Sequence, residues 1–187
     1  MKKQHLSLSA LALLGIGSAQ AADQWTWLAG AEDDYQPQYT ISLLMGQMDP
    51  GDNMDSDTVA GVELALNCPL LQPPSNRIRQ QLSYIQYENN GVEIESIELN
   101  PHYVVEVTPG LEIGAGPGLG LVMVDTPNGD GNVFGLQLGL SAHFQGASPL
   151  FVGAEVRYQI TGEDKFGAAT ESDVDNTRIL LKVGYSL

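Results

Sequence analysis

Three polar residues of this chain have the types that nucleophilic hydrolysis requires. Ser141 and His143 are two positions apart, and residues i and i+2 lie on the same face of a strand. Glu112 lies in a neighbouring segment and could orient the imidazole, as the acid does in a Ser-His-acid triad. A Ser-x-His pair carries little information by itself, and a hydrogen-bonded structural histidine explains it well. We therefore expect no catalytic residue and keep a hydrolase as the alternative.

A second set of polar residues could supply oxygen ligands to a metal ion. Asp125, Asn128, Asp130 and Asn132 lie in one short segment with a spacing similar to that of calcium loops. The segment lacks the downstream bidentate glutamate that completes an EF-hand site. Asn, Gly and Asp are also the residues that a tight turn favours. The sequence therefore predicts a turn without a cofactor, and Ca²⁺ or Mg²⁺ binding at this loop is the alternative.

Most of the chain that positions these residues alternates between apolar and polar side chains. In the last nine residues, Ile179, Leu181, Val183, Tyr185 and Leu187 share one face. This period of two is typical of a β-strand whose two faces differ. Eight such segments follow one another, at about residues 39–48, 59–67, 77–84, 92–107, 111–123, 134–144, 152–160 and 176–187.

The fourth segment changes phase part of the way along. Val92 and Ile94 have one parity, whereas Ile97 and the apolar residues after it have the other. One extra residue in a strand produces such a shift. We therefore predict a β-bulge near Glu95 and Ser96.

The two parities indicate which face of the strands contacts lipid. The apolar parity carries almost no charge, as the lipid-facing band of a membrane barrel must. The polar parity is rich in glycine, and the fifth segment places Gly114, Gly116, Gly118 and Gly120 on it. Small side chains are expected where a narrow lumen is filled. We therefore predict an all-β fold, an eight-stranded antiparallel up-and-down transmembrane β-barrel, with a soluble barrel or sandwich as the alternative.

The first residues have the pattern of an export signal. Lys2 and Lys3 precede an apolar run over residues 6–16, and Ala19-Gln20-Ala21 has the small-x-small pattern of a cleavage site. We expect three parts: a signal peptide (1–21), an N-terminal periplasmic leader (22–38) and an outer-membrane β-barrel domain (39–187).

The exported chain is strongly acidic. Removal of Lys2 and Lys3 leaves six of the eight Lys and Arg against 23 Asp and Glu, which is a net charge of about −17. Nucleic acid is excluded as a partner, because phosphates would be repelled. The acidic residues concentrate in four loops, at 49–57, 88–93, 125–132 and 162–175, which alternate with turns that are nearly uncharged. We expect these acidic loops to face outside the cell, and the eight residues from Pro69 to Asn76 to form an unusually long periplasmic turn.

The leader contains two tryptophans, Trp25 and Trp27, followed by Glu32, Asp33 and Asp34. We expect a disordered leader. Since Trp favours the headgroup layer of a membrane, anchoring at the inner surface is the alternative.

Charged residues on the polar parity are expected to meet inside the barrel. Counted from the periplasmic ends, Glu63, Glu155 and Lys182 lie at similar depth, with Arg157 and Arg178 somewhat higher. Buried charges must be paired. We therefore predict a lumen ion-pair network in which Glu155 joins Lys182 and Arg157, with Glu63 nearby.

A second polar cluster is expected near the periplasmic rim. Arg79, Glu106, Glu112 and His143 have the inward parity of adjacent strands. The same parity faces away from lipid, which argues against catalysis on a lipid substrate.

The export signal, the eight alternating strands and the aromatic-containing terminal strand together resemble the small outer-membrane β-barrels of the OmpA/OmpX class. The segment over residues 109–120 is similar to their glycine-rich fifth strand, and the resemblance covers about residues 39–187. It implies a monomer in the cell outer membrane, with outer-membrane lipids and lipopolysaccharide as surroundings and the barrel-assembly machinery as a partner. Members of the class usually end in Phe or Trp, whereas this chain ends in Leu187 with Tyr185 two residues earlier.

We therefore predict a non-enzymatic outer-membrane protein with acidic surface loops and a structural or surface-interaction role. A lipid-A-modifying outer-membrane enzyme is one alternative. A narrow channel for small or hydrophobic solutes is the other, although eight strands enclose a space that side chains just fill.

Overall fold

The computed structural model describes residues 25–51, 55–167 and 172–187. The predicted signal peptide, residues 1–21, lies outside the described residues. Over the described part, the strands are β1 (Thr26–Trp27), β2 (Thr40–Asp49), β3 (Asp57–Asn67), β4 (Leu71–Gln72), β5 (Ile78–Asn89), β6 (Val92–Thr108), β7 (Leu111–Thr126), β8 (Gly129–Gln145), β9 (Leu150–Thr161) and β10 (Asn176–Ser186). A short 3₁₀ helix, Ala29–Ala31, follows β1. Within these ranges, no helix is long and apolar enough to cross a membrane.

Eight of the strands close into a barrel. Their order is β10-β2-β3-β5-β6-β7-β8-β9, and every neighbouring pair is antiparallel. The seam pairs β10 with β2, from Thr177 opposite Asp49 to Ser186 opposite Thr40. The predicted eight-stranded antiparallel up-and-down barrel is confirmed. We call the end with the β5–β6 and β7–β8 turns the extracellular end, and the end where β2 begins and β10 ends the periplasmic end, after the predicted orientation.

The barrel turns its apolar parity outward. In β8, Phe134, Leu136, Leu138 and Leu140 are all more than half exposed, whereas the residues between them are buried. A water-soluble fold of this length would bury most such side chains. The exposed band is therefore a surface for lipid, and the interior holds the polar parity.

The interior has two chemically different halves. Toward the extracellular end it is filled by an apolar plug of twelve buried residues: Leu44, Met48, Val59, Ile85, Tyr87, Ile94, Val122, Val124, Val133, Phe166, Val174 and Leu180. Phe166 and Val174 come from the β9–β10 loop, so that loop closes the barrel at this end. Toward the periplasmic end, most of the buried side chains are polar or charged, and Ala65, Val104 and Phe151 are the apolar ones among them.

The predicted bulge near Glu95 and Ser96 is wrong. The β5–β6 register is constant from Ile78 opposite Tyr103 to Asn89 opposite Val92, and β6 pairs with β7 without a shift at these positions. The irregularity lies instead between Glu106 and Thr108, beside the turn to β7. The apparent phase change has another cause: Val92 and Ile94 do point inward, because the lumen at that depth is apolar.

The leader is ordered over residues 25–38, contrary to the expected disorder. β1 pairs with β4, which lies inside the long turn after β3. The Tyr35 hydroxyl donates to the Asn67 carbonyl oxygen (2.6 Å), and the Gln38 N–H donates to Asn67 Oδ1 (2.8 Å). Burial, and to a lesser degree Tyr39, raises the pKa of Tyr35, so this phenol remains a donor at neutral pH. We call residues 25–38 and 68–76 together the foot.

Candidate functional site

Glycines of β7 create the space for the polar side chains of the lumen. A Cβ at Gly116 would collide with the Pro101 carbonyl oxygen, and one at Gly118 would collide with Asn100 Oδ1. The β7 backbone is therefore in close contact with the β6 backbone at Gly116 and with the Asn100 and Gln137 side chains at Gly118. This explains why four glycines share the inward parity of one strand.

Arg157 of β9 is the centre of the lumen network and is completely buried. Its Nη2 donates to Glu63 Oε2 (2.9 Å), its Nη1 to Glu98 Oε2 (2.7 Å) and its Nε to Glu155 Oε1 (2.5 Å). Nη1 also donates to Ser83 Oγ (2.8 Å). The planar guanidinium thereby connects three carboxylates from three different strands, a task for which its rigid fork of donors is suited.

Two cations of β10 complete the network. Lys182 Nζ lies 2.8 Å from each Glu63 carboxylate oxygen and contacts Glu155 as well. Arg178 Nη1 pairs with Glu98, and its Nη2 donates to Gln137 Oε1 (3.2 Å). Each carboxylate of the network therefore has two cationic partners.

The charges of this network cancel. Glu63, Glu98 and Glu155 contribute −3, and Arg157, Arg178 and Lys182 contribute +3; all six side chains are at least 96% buried. Buried charges are tolerated only when paired and hydrogen-bonded. The arrangement meets that requirement without net charge, so it offers neither an unpaired acid nor an unpaired base to a solute.

All five predicted network residues lie in this cluster, but the sequence analysis missed Glu98. Glu98 lies on the buried parity of β6, but parity alone does not give its depth in the barrel. The Asn90-Gly91 turn contains the signal: both residues have positive φ, as a two-residue hairpin turn requires, and such a turn sets the register of the strands on either side. That register places Glu98 opposite Ser83, which itself lies opposite Glu63.

The hypothetical triad of Ser141, His143 and Glu112 is not assembled. Ser141 Oγ lies 3.0 Å from His102 Nδ1, and the other ring nitrogen of His102 lies 3.8 Å from Glu155. Ser141 and His102 are buried in the lumen, away from the lipid face. His102, another residue that the sequence analysis missed as a partner, therefore links Ser141 to the charge network. His143 instead packs edge-on against Phe151, with ring centroids 5.8 Å apart.

A cavity of about 410 Å³ opens at the periplasmic end, and all four residues of the predicted rim cluster line it: Arg79, Glu106, Glu112 and His143. Glu106 lies opposite Glu112, and Glu112 lies opposite His143, across β6, β7 and β8. The Glu106 carboxylate accepts a hydrogen bond from the Gly110 N–H (3.2 Å). Glu63 also lines the cavity, so the cavity reaches from the rim to the lumen network.

The predicted metal loop is a tight hairpin. β7 ends at Thr126 and β8 begins at Gly129, so Asn128 lies in a two-residue turn and Asp125 lies opposite Asp130 within the strands. Asn132 lies further along β8, on the same outward face. Among the described residues, no group of three or more His, Cys, Asp or Glu side chains is placed to hold a metal ion.

Four carboxylates form a row on the outer face, just above the apolar band. Glu88 lies opposite Glu93, Glu93 opposite Asp125, and Asp125 opposite Asp130, so the row crosses β5 to β8 without interruption. We call these residues the acidic row. Like charges directly opposite one another in a sheet are destabilising.

Comparison with known proteins supports the fold. No family model matches the chain, and no curated protein matches it. Among solved structures, it is similar to Neisserial surface protein A (15% identity; 81% of this chain and 97% of that chain; TM-score 0.57). It is also similar to Ail, the attachment invasion locus protein of Yersinia pestis (13% identity; 81% and 97%; TM-score 0.51). At these identities the similarity concerns the fold.

The closed barrel, its exposed apolar band and these neighbours define the class of protein. The chain has the fold of the small eight-stranded outer-membrane β-barrels.

Proposed function

We propose that this protein is a non-enzymatic component of the outer membrane with a structural, surface-exposed role. One observation carries the proposal: the lumen is closed by two different seals in series, the neutral charge network and the apolar plug. The periplasmic cavity ends at the first seal. A barrel closed in this way offers its outer loops and outer wall, rather than its interior, for interaction.

Planar-bilayer recordings test the closed lumen. We expect the purified, heat-modifiable protein to produce no ion-conducting steps above the background of the bilayer. Reproducible steps would contradict the proposal and would favour the narrow channel.

Mass spectrometry of lipid A tests the absence of enzymatic activity. Because Ser141 and His102 are buried on the lumen side, we expect identical lipid A from cells with the wild-type protein, the Ser141→Ala or His143→Ala variant, or a deletion. A modification that disappears in the deletion and in either variant would instead establish the lipid-A-modifying enzyme.

The acidic row supports a proposal about the lipid surroundings. The row lies at the extracellular edge of the apolar band, where the phosphates of lipopolysaccharide would lie. Two negatively charged layers repel one another unless cations lie between them. We therefore expect lipopolysaccharide to raise the thermal midpoint of the barrel in the presence of Mg²⁺ and not after chelation. Equal midpoints with Mg²⁺ and after chelation would contradict the proposal that cations link the acidic row to lipopolysaccharide.

The terminal strand supports assembly by the barrel-assembly machinery. Tyr185 and Leu187 continue the outward apolar parity to the end of the chain, and Leu187 is 76% exposed. We expect Leu187→Phe to increase the fraction of newly exported protein that becomes heat-modifiable. Assembly that is unaffected by depletion of the machinery would contradict its involvement.

A further inference from the structure

The foot exposes a group of large apolar side chains. Trp27 is 74% exposed, Leu28 62% and Leu70 58%. The three are neighbours, because the Leu28 N–H donates to the Leu70 carbonyl oxygen (2.7 Å) and Trp27 pairs with Leu71. In water, such a group would lose the stabilisation that burial of apolar surface provides.

Several bonds hold the foot against the barrel wall. Besides the Tyr35 and Gln38 bonds to Asn67, the Gln72 side chain donates to the carbonyl oxygen of Ile78 (2.8 Å) and accepts from the Ile78 N–H (3.1 Å). Within the foot, the Gly30 N–H donates to the Pro69 carbonyl oxygen (2.8 Å) and joins its two segments. The apolar side chains are therefore presented from a fixed platform.

The second segment of the foot begins at Cys68, on the outward side of the barrel edge, whereas residues 36 and 38 of its first segment bond the inward-facing Asn67 side chain. Leu64 and Leu66 have the outward parity of β3, and Cys68 continues that parity one step beyond the strand. Cys68 is nevertheless only 4% exposed, and its carbonyl oxygen accepts a bond from the Gln72 amide (3.1 Å). The foot thus continues the lipid-facing band at its periplasmic edge.

The foot also stands where the aromatic girdle of the barrel is interrupted. Outward aromatic side chains lie near the periplasmic ends of β2, β6, β8 and β10, and these are Tyr39, Tyr103, Phe144 and Tyr185. At the same level, the described parts of β3, β5, β7 and β9 contribute no outward aromatic residue, but only β3 and β5 are neighbours, so the widest gap in the girdle lies there. The foot is built on the connection between these two strands and carries both tryptophans of the chain.

We propose that the foot docks into the headgroup layer of the inner leaflet, with Trp27, Leu28 and Leu70 inserted among phospholipid headgroups. The observations favour lipid over a protein partner, because the group continues a lipid-facing band and fills the gap in its aromatic girdle. Trp is the residue that prefers this layer. The nearby carboxylates of Glu32, Asp33 and Asp34 are exposed and would be repelled by anionic lipid, so the ligand is a zwitterionic phospholipid surface.

The two tryptophans make the proposal measurable without labels. Trp25 and Trp27 are the only tryptophans in the sequence, so the indole fluorescence of the whole chain comes from the foot. Trp25→Phe leaves Trp27 as the single emitter. The barrel is reconstituted into phosphatidylcholine vesicles with and without lipid brominated near the headgroup end of its chains. We expect brominated lipid to reduce Trp27 emission about twofold, because an indole at the interface lies close enough to the bromine atoms to be quenched.

A matched variant calibrates the measurement. Trp25→Phe, Trp27→Phe and Leu138→Trp together place one indole in the middle of the apolar band, where brominated lipid must quench it. Trp27 emission that is unaffected by brominated lipid and fully quenched by aqueous acrylamide would overturn the proposal. Emission that shifts with protein concentration, without quenching by lipid, would also overturn it and would assign the group to a contact between two copies. Each variant is used only after its heat-modifiable migration shows a folded barrel.

Discussion

At the scale of single residues, the lumen depends on equal numbers of acids and bases. Arg178→Met leaves two cations for three carboxylates, and removal of one partner from a buried ion pair costs about 3–5 kcal/mol. Arg178→Met combined with Glu98→Gln restores the balance, with two acids and two bases. We expect the double variant to be more stable than the single one by at least about 1 kcal/mol, although it lacks more polar contacts.

Urea unfolding in detergent, followed by the heat-modifiable band, measures both variants. Additive losses for the two substitutions would show that charge balance does not control stability here.

The glycine stripe leads to a prediction about packing. Gly118→Ala places a methyl group against Asn100 and Gln137, and overpacking of this kind costs about 1–3 kcal/mol. Gly146→Ala is the matched control, because nothing lies within 4 Å of a Cβ at that position. We expect the urea midpoint to fall for Gly118→Ala and to remain within error for Gly146→Ala. Equal midpoints would mean that the lumen is less filled than described.

At the scale of strands, the acidic row lowers the stability of the sheet, because like charges face one another on neighbouring strands. Asp125 lies between Glu93 and Asp130, so Asp125→Asn removes repulsion on both sides at once. We expect a gain of about 0.2–1 kcal/mol at low ionic strength, and a smaller gain in high salt because exposed charges are screened. Glu163→Gln, an exposed acid outside the row, is the control and should leave the midpoint unchanged. A gain that is independent of salt would contradict the electrostatic origin.

The strands also show how much the sequence alone could predict. Alternation predicted all eight barrel strands and, except at the start of β6, their inward faces, since a period of two is a local property. The positions of Glu98 and His102 depend on the register between strands. That register is set by the Asn90-Gly91 turn and not by the alternation within one strand. The bulge prediction failed at Val92 and Ile94 because apolar side chains point inward where the lumen itself is apolar. The foot is ordered because β1 pairs with β4, and these two strands are too short to show an alternating pattern in the sequence.

At the scale of the whole molecule, the two seals act independently. The charge-balanced Arg178→Met and Glu98→Gln variant weakens the network, but the apolar plug still fills the extracellular half. A hydrophobic constriction of this kind excludes ions by remaining dry. We therefore expect this variant to conduct no better than the wild type in planar bilayers. Conductance that appears in the variant would mean that the network alone closes the lumen.

The position of the lumen charges along the chain has a consequence for how the barrel closes. Before β10 joins, the network groups of β3, β6 and β9 are three carboxylates and one guanidinium, a sum of −2. Arg178 and Lys182 of β10 bring +2. The strand β10, which pairs with β2 to form the seam, thus also carries the counter-charge of the network. The network therefore becomes neutral only when β10 joins the other strands.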